Sequence, residues 1–138
     1  MAQQHDDALT LAQTYFARWN DGDFDGLRAI LTDNVTIVLP MSGGDSPEPS
    51  TVFPGVDNSV GYLQFSSNLF DGIHFTNQEW SVSDDARYVH LHARGDMKTR
   101  TGTPYTNVYV FRLELRDGAI AHVDEYTNPI IWTNLGIS

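Results

Sequence analysis

Apolar positions recur at helical spacing near the start of the chain. Leu11, Ala12, Tyr15, Phe16 and Trp19 fall on one stripe. Asp6 and Asp7 are suited to cap a helix that begins near Ala8. The run "NDGD", Asn20 to Asp23, ends this pattern, and Asp23 caps a short second helix carrying Phe24, Leu27, Ile30 and Leu31. The period then changes. "NVTIVLP" reads as a strand from Val35 to Leu39 that Pro40 closes. "MSGGDSPEPST" is a loop, and "TVFPG" a short return strand. Val60, Leu63, Phe65 and Leu69 predict a third helix within Val56 to Phe70, against the weak helix propensity of Gly61.

The rest of the pattern is β. Ile73 to Val82 is one strand and Arg87 to Arg100 the next, with Gly95 read as a bulge. Tyr105 to Leu115 alternates most clearly: Asn107, Tyr109, Phe111, Leu113 and Leu115 share one face. "RDGA" is an Asp-Gly hairpin turn, and Ala119 to Thr127 is the last strand. Helices first and an antiparallel meander after define an α+β domain. The expected packing is a cone-shaped, curved antiparallel sheet wrapped on three N-terminal helices. Such a cone leaves a cavity suited to a small ligand.

The last strand ends in charge. Alternation puts His122, Asp124, Tyr126 and Asn128 on one face and Ala121, Val123, Glu125 and Thr127 on the other. A bulge near Asp124 would exchange the faces beyond it, so either carboxylate is a candidate for the interior. A carboxylate enclosed there is destabilised as an ion, and its pKa rises toward the range useful for proton transfer at neutral pH.

Composition narrows the choice. The chain has 138 residues and no cysteine, which fits one domain spanning 1–138 and excludes disulfides and thiolate chemistry. Eighteen acidic against eight basic side chains give a formal charge of −10, a poor match for nucleic acid or an anionic membrane. With no long apolar run and no signal-like start, a cytoplasmic protein is expected. His90, His92 and His122 imitate a metal-ligand set, but His-x-His on a strand is common without metal. No metal and no organic cofactor are expected.

"TGTPYTNVYVFRLELRDGAIAHVDEYTNP" resembles the C-terminal half of SnoaL-like proteins in the nuclear-transport-factor-2-like (NTF2-like) superfamily, and "WNDGDFDGLRAILTDNVTI" is similar to their opening. "EYTNP" followed by "NLGI" is most similar to phenazine-biosynthesis proteins of the A/B type. By that resemblance Glu125 takes the place of a pocket glutamate that handles protons during condensation of a ketone-bearing precursor. The family pairs it with a histidine ahead of the sheet. Asp57 to Leu69 holds none, which leaves His74 as the nearest substitute.

The expected site is therefore Glu125 as acid or base, with Asn128 and His74 beside it. Tyr15, Trp19, Tyr105, Asn107, Tyr109 and Phe111 would hold the substrate. The expected activity is that of an isomerase or cyclase working on a carbonyl compound of secondary metabolism. Two alternatives are a dehydratase or hydrolase with a carboxylate-held water, and a non-catalytic ligand-binding dimer. A homodimer is expected through the outer face of the sheet, where Val108 and Val110 lie beside Arg112 and Glu114.

Overall fold

The computed structural model describes residues 2–41 and 51–136. The loop read in "MSGGDSPEPST" lies largely outside them. The first helix, α1 (Ala2–Asp21), turns Ala8, Ala12, Tyr15, Phe16 and Trp19 to the core, the stripe that the periodicity predicts. It starts well before Ala8. Asp6 and Asp7 are exposed within it and cap nothing, and Asp7 accepts a hydrogen bond from the Gln3 side chain one turn back. No helix breaker precedes them, so the helix continues through the expected cap. Helix α2 (Phe24–Ile30) starts as expected, with the Asp23 carboxylate accepting from the Gly26 amide at 2.9 Å.

Strand β1 (Leu31–Leu39) follows directly, then β2 (Thr51–Pro54) and helix α3 (Gly55–Leu69). The meander comprises β3 (Phe75–Val82), β4 (Tyr88–Lys98), β5 (Pro104–Arg116) and β6 (Ala119–Thr127), and a short helix, α4 (Pro129–Thr133), comes after it. The six strands form one curved, open sheet in the order β2-β1-β6-β5-β4-β3. The meander is antiparallel throughout, whereas β1 runs parallel to β6. That parallel pair joins β1 to the antiparallel meander. Hairpin turns fix direction only between consecutive strands, and β1 and β6 are not consecutive. Their register sets Ile37 beside Val123, so both point into the same core.

Two irregularities shape the meander. In β6 the register slips at Ala121, between the pairs Leu115↔Ile120 and Glu114↔His122. In β3 it slips at Asn77 and Gln78, where Asn77 adopts φ 53°. Gly95, read as a bulge, is paired regularly with Asn107 and Phe75. Its reason for being glycine is packing: a Cβ there would lie 2.6 Å from the Tyr109 ring. The core fills the space between the concave face and the helices. Phe111 is fully buried at its centre, against Phe16 at 4.8 Å and Phe75 at 5.3 Å between ring centroids. Burying a ring of this size stabilises the fold by roughly 1.5–3 kcal/mol.

Candidate active site

Beyond Ala121 the alternation of β6 is regular. Val123 and Glu125 point inward, while Asp124 and Tyr126 point out. The slip therefore lies upstream of Asp124, and the inward carboxylate is Glu125. Only 4 % of its surface is exposed. It faces a cavity of about 600 Å³ enclosed by the sheet, α3 and α4. The walls are largely aromatic, with Trp19, Tyr62, Phe70, Phe75 and Trp132 among them.

The Tyr62 hydroxyl, on α3, donates to Glu125 Oε2 at 2.6 Å. Tyr62 in turn stacks on Phe53 of β2, with ring centroids 4.6 Å apart. Glu125 Oε1 is buried without a hydrogen-bond partner. Burial raises the Glu125 pKa to about 7, and the Tyr62 hydrogen bond restrains the rise. Half-ionised near neutral pH, with one oxygen held and the other free, this carboxyl can take or give a proton. The Tyr62 hydroxyl stays protonated, pushed well up by burial and then by the Glu125 charge.

A second polar group lies on the neighbouring strand of the same sheet wall, where Tyr109 is a diagonal neighbour of Glu125. The Tyr105 and Tyr109 hydroxyls, both on the cavity wall, are 2.7 Å apart. Burial raises the pKa of each, so both are O–H groups. Asn107 Nδ2 donates to the Tyr105 hydroxyl at 2.8 Å and to the Asn128 carbonyl at 3.1 Å. Asn107 Oδ1 accepts from the Val108 amide at 2.8 Å and the Asn128 amide at 3.2 Å. Its amide is thus fully occupied by the protein.

The expected site residues divide accordingly. Glu125, Trp19, Tyr105 and Tyr109 line the cavity together. Asn107 stands behind Tyr105 and does not face the ligand space. Asn128 caps α4, its side chain accepting from the Ile130 amide, so its oxygen serves the helix. Tyr15 and Phe111 are fully buried core residues behind the wall. Tyr15 still feels the Glu125 charge, which adds to burial in raising its pKa, and its hydroxyl has no partner. His74 is a correction. It falls between Ile73 and Phe75, both turned to the core, and so is exposed on the other side. It is not part of the cavity wall that holds Glu125.

Tyr62, Phe70, Phe75, Met97 and Trp132 escaped the sequence reading. Tyr62 carries no signal in the sequence; the burial of Ser59 and Ser66 on the same helix shows only in the structure. As for metals, His90 and His92 lie on the outer side of β4, and His92 pairs with Glu79 at 3.1 Å. His122 pairs with Asp124 at 2.8 Å. Among the described residues no three His, Asp or Glu side chains converge as a metal site.

A curved open sheet over N-terminal helices is the NTF2-like fold, shared with an NTF2-like protein from Burkholderia xenovorans. The chain belongs to the SnoaL-like domain family, whose model matches residues 12–123. Solved structures agree on the fold. A presumptive isomerase from Bacillus subtilis superposes with a TM-score of 0.82 at 22% identity, covering 98% of this chain and 96% of that one. A presumptive polyketide cyclase from Xanthomonas campestris gives 0.77 at 20% identity, with 94% and 96% covered. A phenazine biosynthesis-related protein from Pseudomonas aeruginosa gives 0.76 at 16% identity, with 97% and 83% covered. At such identities the likeness establishes the fold alone. No functionally curated protein matches the sequence. Among the described residues no helix is long and apolar enough to cross a membrane.

Proposed function

We propose that the protein is a small-molecule isomerase or cyclase that moves a proton next to a carbonyl group. The observation that carries this reading is the buried Glu125 carboxyl on the cavity wall, held by Tyr62 through one oxygen and without a hydrogen-bond partner at the other. Glu125 would abstract the proton. The Tyr105–Tyr109 pair would donate to the carbonyl oxygen as negative charge develops on it. Asn107 fills an acceptor position on Tyr105, which favours Tyr105 as donor to Tyr109 and leaves the Tyr109 proton for the ligand. Neighbours bearing isomerase and polyketide cyclase names make the same class of chemistry a natural expectation here.

The rival readings have less support. A held water would call for carboxyl and amide groups converging on one point, and the Asn107 amide and the Asn128 side-chain oxygen are engaged elsewhere. A passive carrier would expose Glu125 or tie it to an arginine, and its partner is a tyrosine.

The test uses an enolisable ring ketone. Exchange of the α-protons of 2-tetralone for deuterium, followed by NMR, should speed up with pH and level off above about 7, the Glu125 value. Removing the Tyr62 hydroxyl removes the contact that lowers that value. In Tyr62→Phe the inflection should move to higher pH. An unmoved inflection would assign the titration to another group.

A homodimer belongs to the same proposal. The outer face of the sheet exposes Val108 (47 %), Val110 (38 %) and Tyr126 (37 %). Beside them Arg87 and Arg116 pair with Glu114, and Arg112 lies 3.9 Å from Asp124. A face carrying both signs of charge beside an apolar strip is able to complement a copy of itself. Val110→Asp should convert the dimer to a monomer in sedimentation velocity, and a monomeric wild-type protein would remove this element.

A further inference from the structure

We propose that the cavity selects its ligand by charge, taking an uncharged ring-bearing carbonyl compound and rejecting the same skeleton bearing a carboxylate or phosphate. The inference deepens the reading above, since it rests on the cavity being the substrate site. Its basis is where the cations are. Among the described residues no Lys, Arg or His is in the cavity wall, whereas Glu125 is.

Each basic side chain is committed or turned away. Arg87, Arg112 and Arg116 lie with Glu114 and Asp124 on the outer face of the sheet. Arg94 and Lys98 occupy exposed, outward positions of β4. Arg18 donates to the Gly26 carbonyl, and Arg100 to the carbonyls of Ser67 and Asn68. Arg28 is paired at 2.6 Å with Asp57, an exposed acid that lines the cavity. The stretch 42–50 contributes no basic residue by sequence.

An anion entering this space would lose its hydration and gain no counter-ion, while meeting a carboxylate already there. A neutral carbonyl needs only a hydrogen-bond donor, and the tyrosine hydroxyl pair supplies one. The aromatic wall offers the ring its contact area. Anionic ligands are thus excluded by lack of compensation and by repulsion together.

The experiment titrates two probes of one shape, 2-acetonaphthone and 2-naphthoate, into the protein. Binding is read by quenching of the wall tryptophans, Trp19 and Trp132. At about pH 8.5, above the Glu125 value of about 7, the ketone should bind at least roughly 100-fold more tightly than the carboxylate. In Glu125→Gln the gap should narrow by about tenfold yet persist, because no cation is gained. Naphthoate binding within about tenfold of the ketone would overturn the proposal, and so would failure of the ketone to bind at about 1 mM. The catalytic reading is tested separately. A Glu125→Gln variant still active in proton exchange would remove the base and leave the charge order intact. Tight naphthoate binding would remove the charge order and leave the base intact.

Discussion

Glu125→Gln should abolish ketone proton exchange and at the same time make the protein more stable in mild alkali. A positioned general base contributes typically 10²–10⁴-fold, so exchange in 2-tetralone should fall by about that factor. The stability gain follows from linkage. The carboxyl titrates at about 7 in the fold, against 4.5 ordinarily. Between those values the folded protein binds more protons than the unfolded chain, so stability falls as pH rises through this window. The full penalty is present above pH 7 and absent below 4.5, and it amounts to about 3 kcal/mol. Glutamine carries no charge to desolvate and can still accept from Tyr62. The variant should therefore be more stable by about 3 kcal/mol at pH 8, with a Tm roughly 10 °C higher, and by only about 1 kcal/mol near pH 5.5. Urea unfolding at the two pH values separates these outcomes. Equal stability of the two proteins at pH 8 would mean that the carboxylate is hydrated, and the proton-transfer reading would lose its premise.

The coupling of lost activity to gained stability has a physical origin that also governs what the sequence could reveal. Periodicity reports which residues a strand or helix turns to the core, because burial is repeated along the element. It located α1, α2, α3 and the four strands of the meander, and it put Asn107, Tyr109 and Phe111 on one face of β5. It could not choose between Asp124 and Glu125, since one slipped residue exchanges the faces of β6, and the slip at Ala121 arises from pairing with β5. Nor could it separate cavity wall from packed core. Tyr15 and Tyr109 are both buried tyrosines on core-facing stripes, yet only the second faces open space. That difference depends on where α3 and α4 end up, which is a long-range matter. Tyr62 was hidden for the same reason: its partner is 63 residues away in sequence. His74 was suggested by resemblance, and the simple alternation of Ile73, His74 and Phe75 already turned it outward.

Asn107→Ala should be the most damaging polar substitution in the fold, and its effect should separate clamp from oxyanion donor. Asn107 is almost fully buried and makes four hydrogen bonds, to Tyr105, Val108 and both backbone groups of Asn128. It joins β5 to the start of α4, the helix that brings Trp132 to the cavity. Alanine would leave the two Asn128 groups without this partner and open a small void. The expected loss is about 2–4 kcal/mol in urea unfolding. Asn128→Ala offers the control. It removes only the cap interaction with the Ile130 amide, worth about 1 kcal/mol. If Asn107 instead donated directly to a ligand oxygen, its replacement would depress exchange activity with little change in stability. The clamp predicts the opposite weighting: a large stability loss, and a weakened exchange rate that follows from the Tyr105–Tyr109 pair losing its anchor. Restoring temperature or osmolyte conditions that keep Asn107→Ala folded should then recover part of the exchange activity, since Glu125 and both tyrosines are still present. No such recovery is expected for Glu125→Gln, whose proton acceptor is gone however well the chain is folded.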